Sequence, residues 1–223
     1  MKNSLVCGLD EAGRGPVFGP LILCGVCFKQ SQLEYLHEIG VKDSKRLSSE
    51  RRSNLTDIIK ESCCSFKVLE LSPQEIDQRI KKRISLNQLE LLKFVEITNT
   101  LKPSKIYIDA ADTDEKRFGN TLKAKLNYVP EKVISKHRAD DIYPIVGAAS
   151  IIAKVKRDEI IEDLKEEYGE IGSGYPSDEK TTRFLREWIQ KEKRPPPFAR
   201  VSWKTTKDIL NRELNNKKIT QYF

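Results

Sequence analysis

The sequence is short of the side chains that most often carry nucleophilic or proton-transfer chemistry near neutral pH. It has two histidines, His37 and His137, and no Gly-x-Ser-x-Gly anywhere. Hydrolysis by an elbow-type Ser-His-Asp triad is therefore excluded. The five cysteines are an odd number, and no basic-then-apolar leader opens the chain, because Asp10 and Glu11 arrive too early. A disulfide framework is not expected. Cys24 and Cys27 have C-x-x-C spacing, but inside a strand-like run residues three apart face opposite sides and are poorly placed to share zinc. All five read as small apolar fillers. Long apolar runs are missing too. Leu21-Ile22-Leu23-Cys24-Gly25-Val26-Cys27-Phe28 falls far short of the ~20 residues that span a bilayer. A soluble, cytoplasmic chain is expected.

What is present is a length of 223 residues, which suits one large domain or one domain with a small appendage. Such a chain buries roughly 70% of the surface its unfolded form exposes, so it needs no staple. Hydrophobic residues at 38% and charged residues at 33% argue against a disordered chain or a membrane protein. The net charge of +7 lies entirely in residues 183–223, where eleven Lys and Arg face four Asp and Glu. A neutral body with a basic C-terminal segment suggests polyanion binding, although a solvated helix face would carry the same charges.

Residues 4–10 and 17–28 read as strands joined by a glycine-rich turn, an antiparallel pair. Helical periodicity follows at 31–38 and 48–62, then an alternating strand at 65–71. Ser72-Pro73-Gln74-Glu75 opens a helix of the cap-then-proline type. Helix 86–102, strand 105–109, helix 114–127, strand 133–135 and a long helix over 144–168 complete the body. The pattern implies a mixed sheet in one α/β domain. Arg194-Pro195-Pro196-Pro197 alone looks like a linker, and it precedes a last helical segment.

Acidic residues occur where strands and helices end. Asp10-Glu11 closes an apolar strand, Asp109 closes Ile106-Tyr107-Ile108, and Asp140-Asp141 precedes the long helix. In open α/β sheets functional groups gather beyond the carboxyl ends of strands. If the first and fourth strands are parallel neighbours, Asp10 and Asp109 lie side by side. Crowded carboxylates raise one another's pKa, and a divalent cation removes that penalty, with magnesium or manganese favoured by hard oxygen ligands. Spacing alone leaves a second reading open, in which each acid caps a helix or ends a strand in water. That second reading fits Asp112, Asp114 and Asp141. Gly13-Arg14-Gly15-Pro16-Val17-Phe18-Gly19 is neither a Walker A loop nor a G-x-G-x-x-G, and a strand follows it. It would still let a backbone approach a sugar-phosphate closely.

These residues, with Asp43-Ser44-Lys45, Tyr107-Ile108-Asp109, His137-Arg138-Ala139-Asp140, Ala148-Ala149-Ser150-Ile151-Ile152-Ala153-Lys154 and Gly172-Ser173-Gly174-Tyr175-Pro176-Ser177-Asp178, form an ordered series. The series resembles the signature of the type 2 ribonuclease H family (ribonuclease HII) in its archaeal form. The resemblance runs from residue 10 to about 203. It implies an α/β ribonuclease H-like fold, a mixed five-stranded sheet flanked by helices, with a helical C-terminal extension. It implies four catalytic, metal-holding carboxylates, Asp10, Glu11, Asp109 and Asp140, and two divalent ions, Mg2+ or Mn2+, clamping the scissile phosphate about 4 Å apart. The expected activity is endonucleolytic hydrolysis of the RNA strand of RNA–DNA hybrids and cutting at ribonucleotides embedded in duplex DNA. Those cuts would leave 3′-hydroxyl and 5′-phosphate ends.

The same resemblance assigns contact with the ribose 2′-hydroxyl, the group that separates RNA from DNA, to Gly13, Arg14 and Gly15. It assigns stacking on the neighbouring deoxyribose to Tyr175, and phosphate contacts to Lys45 and Lys154. The last eight residues resemble a sliding-clamp-binding peptide, with Ile219, Tyr222 and Phe223 as its apolar anchors and Asn216 where the motif has glutamine. The implied division is a catalytic domain over 1–193, a basic substrate-binding segment over 194–215 and a clamp-binding tail over 216–223. The partners are hybrid, ribonucleotide-containing DNA and the clamp, with no membrane, and the chain acts as a monomer. Truncation before Arg194 is expected to weaken hybrid binding more than it slows cleavage. Three rivals compete: another metal-dependent nuclease on the same fold, a non-catalytic binding module, and a nucleotide-binding regulator built on the glycine turn.

Overall fold

The computed structural model describes residues 4–41 and 48–215. Lys45, with Asp43 and Ser44, and the tail with Asn216, Ile219, Tyr222 and Phe223 lie outside the described residues. Among the described residues no helix is long and apolar enough to cross a membrane. The chain divides into two compact units. The first takes Met1–Ala12, Ile22–Glu70 and Ser85–Lys156; the second takes Gly13–Leu21, Leu71–Ile84 and Arg157–Phe223. This partition differs from the one drawn on the sequence at 193/194, because residues 194–215 share a unit with the glycine turn and with the Ser72-Pro73 helix.

The first unit is built on a five-stranded sheet of β1 (Leu5–Ala12), β2 (Leu21–Lys29), β3 (Ser65–Leu71), β4 (Lys105–Asp109) and β5 (Lys132–Lys136). Their order is β3-β2-β1-β4-β5. β1 pairs antiparallel with β2 and parallel with β4, and β4 pairs parallel with β5, so the sheet is mixed as expected. β1 and β2 are apolar on both faces and almost wholly buried, the signature of strands covered on two sides. The second strand starts at Leu21 rather than Val17. Val17 instead donates its N–H to the Gly174 carbonyl at 2.7 Å, and Gly19 donates to the Phe198 carbonyl at 2.9 Å.

The helices obey their caps. α1 (Leu33–Glu38) is a short turn, while α2 (Ser49–Ser62) starts where the Ser48 hydroxyl accepts the Arg51 N–H. α3 (Pro73–Lys81) and α4 (Leu86–Leu101) each open with a reciprocal capping box, Ser72 with Glu75 and Ser85 with Gln88. α4 buries Phe94 and Ile97, which the sheet needs as a lid. α5 (Glu115–Lys125) is capped by Asp114. α6 (Ala139–Ile142), a single turn, was not foreseen from the sequence, and α7 (Pro144–Tyr168) has the expected bounds. Gly8 in β1 fits there because any Cβ would lie 2.0 Å from the Ile145 carbonyl oxygen. The missing side chain lets the first turn of α7 press on the central strand.

The second unit holds α3, the C-terminal part of α7 from Arg157, α8 (Glu179–Glu192) and α9 (Lys204–Asn215). Its core gathers Val17, Phe18, Ile171, Leu185, Ile189 and Phe198. Phe18 and Phe198 meet edge to face with centroids 5.2 Å apart, and Tyr168 adds its ring 4.7 Å from Phe198. Each fully buried aromatic of this kind is worth about 1.5–3 kcal/mol. Phe198, Ala199 and Ile209 are buried members of that core. Truncation before Arg194 would therefore remove core residues together with the basic ones.

Candidate active site

Asp10 and Asp109 converge through strand register. Leu9 pairs with Ile108 across the parallel β1–β4 ladder, so the next residue on each strand is an aspartate. Asp140 arrives from α6, whose entry residue Arg138 takes a left-handed backbone at φ 55°. The Arg138 N–H donates to Asp109 Oδ1 at 3.1 Å, which ties the helical turn to the end of β4. One carboxylate oxygen from each of Asp10, Asp109 and Asp140 comes within 4.8 Å of the others. Three acids separated by about a hundred and by thirty residues thus share one spot.

The electrostatics record the strain. Burial pushes the Asp10 carboxyl well above its ordinary value, and the charges of Glu11, Asp109 and Asp140 push the same way. The Ser150 hydroxyl pulls it down. Asp109 is raised by burial and by Asp140, and lowered by the N–H groups of Arg138, Ala139 and Asp140. A donor set made of carboxylate oxygens, held together against its own repulsion, fits a small hard dication. Glu11 lies one residue on, half-buried, and outside the group of three. Its N–H donates to Asp10 Oδ1 at 2.8 Å. Strand alternation explains why consecutive acids do not converge on one point.

Lys154 lies on α7, half-buried, one helical turn beyond Ser150 and so on the face that looks to Asp10. The remaining acids follow the bland reading. Asp112 takes two contacts from Arg117 Nη2, at 2.7 and 2.8 Å, Asp114 caps α5, and Asp141 pairs with Arg138 at 2.8 Å. His137 is held locally, its N–H on Glu115 and its ring nitrogen 3.3 Å from the Thr113 carbonyl oxygen.

The second unit brings together the glycine turn and the tyrosine. Gly13 has φ +89°, a left-handed backbone that glycine adopts without strain. Gly15 is exposed, and a Cβ there would lie 3.8 Å from Tyr175 Cε1. The tyrosine sits in a braced loop. Asp178 accepts the Ser173 N–H at 2.7 Å and the Ser173 hydroxyl at 2.8 Å, while Gly174 donates to Thr181 Oγ1 at 2.9 Å. The two bonds from Ser173 do most to hold the Asp178 carboxyl down at about 2. Beneath the ring, the Arg157 guanidinium carbon lies 5.4 Å from its centroid and Arg157 donates to the Phe18 carbonyl at 3.2 Å. Ser150, Arg157, Arg200 and Trp203 were not picked out as site residues from the sequence. Ser150 stood inside the motif Ala148 to Lys154 without a role of its own, and Arg200 was legible only as one of many C-terminal charges.

Comparison with known proteins agrees with this arrangement. The family model described as Ribonuclease HII matches residues 7–206. A ribonuclease HII of Thermococcus onnurineus is 49% identical over 204 residues, covering 91% of this chain and 88% of its own. The crystal structure of the ribonuclease H2 from Pyrococcus horikoshii OT3 superposes with a TM-score of 0.90 at 46% identity, covering 95% of this chain and all of that one. The ribonuclease HII in the PCNA:RNase HII complex from Archaeoglobus fulgidus has a TM-score of 0.82 at 41% identity, covering 90% and 95%.

Proposed function

The chain belongs to the ribonuclease HII family, and from that premise we propose that it hydrolyses RNA within hybrids and also cuts at single ribonucleotides embedded in duplex DNA, by two-metal-ion catalysis. The coarser part is given by membership: the protein is an endoribonuclease, a hydrolase of the RNA strand in RNA–DNA hybrids. The observation that supports the metal-dependent mechanism is the meeting of Asp10, Asp109 and Asp140 within 4.8 Å.

Asp10, Glu11, Asp109 and Asp140 would hold two divalent cations, magnesium or manganese. When bound, such ions supply activation of the attacking water and charge neutralisation at the leaving oxygen. The protein's part is positional. Three backbone N–H groups orient Asp109, and the sheet end keeps Asp10 buried, so the acids wait in place at little reorganisation cost. A site without a catalytic histidine has no other evident source of a nucleophile. The ends left would be a 3′-hydroxyl and a 5′-phosphate.

Gly13, Arg14 and Gly15 would meet the ribose 2′-hydroxyl, with Tyr175 stacked on the neighbouring deoxyribose. The nearness of the Tyr175 ring to Gly15, where an added Cβ would come to 3.8 Å from Cε1, supports their acting together. Lys154, and Lys45 outside the described residues, would face phosphates. Residues 194–215 would add a second grip through Lys204, Lys207 and Arg212, which are exposed on α9. The tail over 216–223 would engage a sliding clamp, a reading supported by the complex that the Archaeoglobus fulgidus ribonuclease HII forms with PCNA. We read the protein as a monomer acting in the cytoplasm during DNA replication and repair.

The test is a cleavage assay on a duplex with one ribonucleotide, with magnesium or manganese, mapped to the nucleotide. Cleavage at the ribonucleotide and none of the all-DNA duplex is expected. Equal cleavage of all-DNA would favour a general nuclease on the same fold.

A further inference from the structure

Arg200 is a fully buried arginine in the C-terminal part of the chain. Its guanidinium donates to four main-chain carbonyls. Nη2 reaches Gly13 at 2.6 Å and Pro20 at 2.9 Å, Nη1 reaches Arg14 at 3.1 Å, and Nε reaches Gly19 at 3.0 Å. Trp203 donates its Nε1–H to the Gly15 carbonyl at 3.2 Å, and its ring lies 4.9 Å from the Arg200 guanidinium carbon. Every carbonyl of Gly13-Arg14-Gly15 is therefore held by one of these two side chains. Burying a guanidinium is costly unless its donors are matched. Here the donors are spent on a turn about 180 residues away in sequence.

The consequence follows from peptide geometry. In a trans peptide the N–H lies opposite the carbonyl of the preceding residue, and no described peptide is cis. Holding the carbonyls of Gly13 and Arg14 toward Arg200 turns the N–H groups of Arg14 and Gly15 to the other side. We propose that Arg200 and Trp203 are positioning residues that fix the direction of these amides and thereby set the preference for ribose over deoxyribose. The proposal deepens the reading that this turn meets the 2′-hydroxyl, and rests on it. Only arginine suits the position, because its planar fork spans several acceptors, whereas a lysine offers three donors from one point. Trp203 supplies the remaining donor and lays an aromatic face on the guanidinium.

The experiment measures affinity for two matched duplexes, one with a single ribonucleotide and one all DNA, in the Asp109→Asn background so that both stay intact. Three further variants are compared. Trp203→Phe keeps the ring and removes one donor, Arg200→Lys keeps the charge and removes the fork, and Gly13→Ala alters the turn itself, where a Cβ would meet Arg157 at 2.5 Å. The ribose-to-deoxyribose affinity ratio is expected to fall about fivefold in Trp203→Phe, the worth of one hydrogen bond, and further in Arg200→Lys. All-DNA affinity stays within about twofold of its starting value. General destabilisation would lower both affinities together and leave the ratio alone, so an Arg200→Lys variant that folds poorly still leaves Trp203→Phe to decide. Wild-type ratios in Trp203→Phe and Arg200→Lys, with a reduced ratio in Gly13→Ala, would overturn the proposal and leave the turn as the sugar reader. A wild-type ratio in Gly13→Ala would remove the turn from sugar recognition, and the proposal with it.

Discussion

Asp10 and Asp109 stand side by side because Leu9 and Ile108, the residues before them, are register partners on parallel neighbours at the middle of the sheet. Asp10 still faces Cys24 of β2 and Asp109 still faces Lys136 of β5. The β1–β4 register stops one residue short of the two aspartates, which leaves their carboxylates close together. The arrangement costs stability in the absence of a counter-charge, and that cost can be measured.

Asp10→Asn keeps the shape and removes one buried charge from the group. A carboxyl whose folded pKa is raised costs stability at every pH above its unfolded value, so the loss of charge stabilises the apo chain at neutral pH. The variant should melt about 2–4 °C above wild type without divalent ions, for about 1 kcal/mol gained in a chain of this size. Added magnesium or manganese at a hundredfold over Kd should raise wild type by about 2.7 kcal/mol and Asp10→Asn by clearly less. Calorimetry with and without the ion checks both.

Asp109→Asn removes a carboxylate that the backbone of α6 already orients. Turnover should fall by about 10³-fold or more, while hybrid affinity stays close to wild type. Single-turnover cleavage beside equilibrium binding separates the two. Unchanged cleavage would turn the chain into a binding module.

The exposed charges of α9 make a surface test that truncation does not. Replacing Lys204, Lys207 and Arg212 together by Gln should weaken hybrid binding at low salt. It should also flatten the salt dependence by about 0.9 in log–log slope for each phosphate left without its cation. Cleavage of bound substrate should hardly change. A salt titration of binding reads the slope directly.

Asp178 braces the loop that carries Tyr175, and its carboxyl is held at about 2, chiefly by the Ser173 N–H and hydroxyl. An unfolded aspartate titrates near 3.9. Its contribution is therefore fully present above about pH 4 and lost as pH falls through about 2. The melting difference between wild type and Asp178→Asn should hold from pH 7 to about pH 4.5 and shrink below about pH 4.

Much of this was legible in the sequence, for physical reasons. An aspartate at the end of an apolar strand is a local signal, so Asp10 and Asp109 could be read from their neighbours alone. The capping boxes at Ser72 and Ser85 and the run from Pro144 to Tyr168 are local in the same way. α6 is a single turn with a left-handed entry at Arg138, too short to leave a period. Strand two was drawn four residues too long because Val17 to Pro20 look like strand but bond to Gly174, Phe198 and Arg200 instead. Arg200 shows the limit most clearly. Nothing near it in sequence distinguishes it from the solvated lysines around it, and its burial is set by carbonyls at the other end of the chain.

Asp10, Asp109 and Asp140 are proposed to form one cation-binding centre. Crystals soaked in manganese, measured at the manganese absorption edge, test it most directly. Anomalous peaks among these three side chains, lost in Asp109→Asn, are the predicted result. The same data with the three carboxylates apart and no peak between them would contradict it.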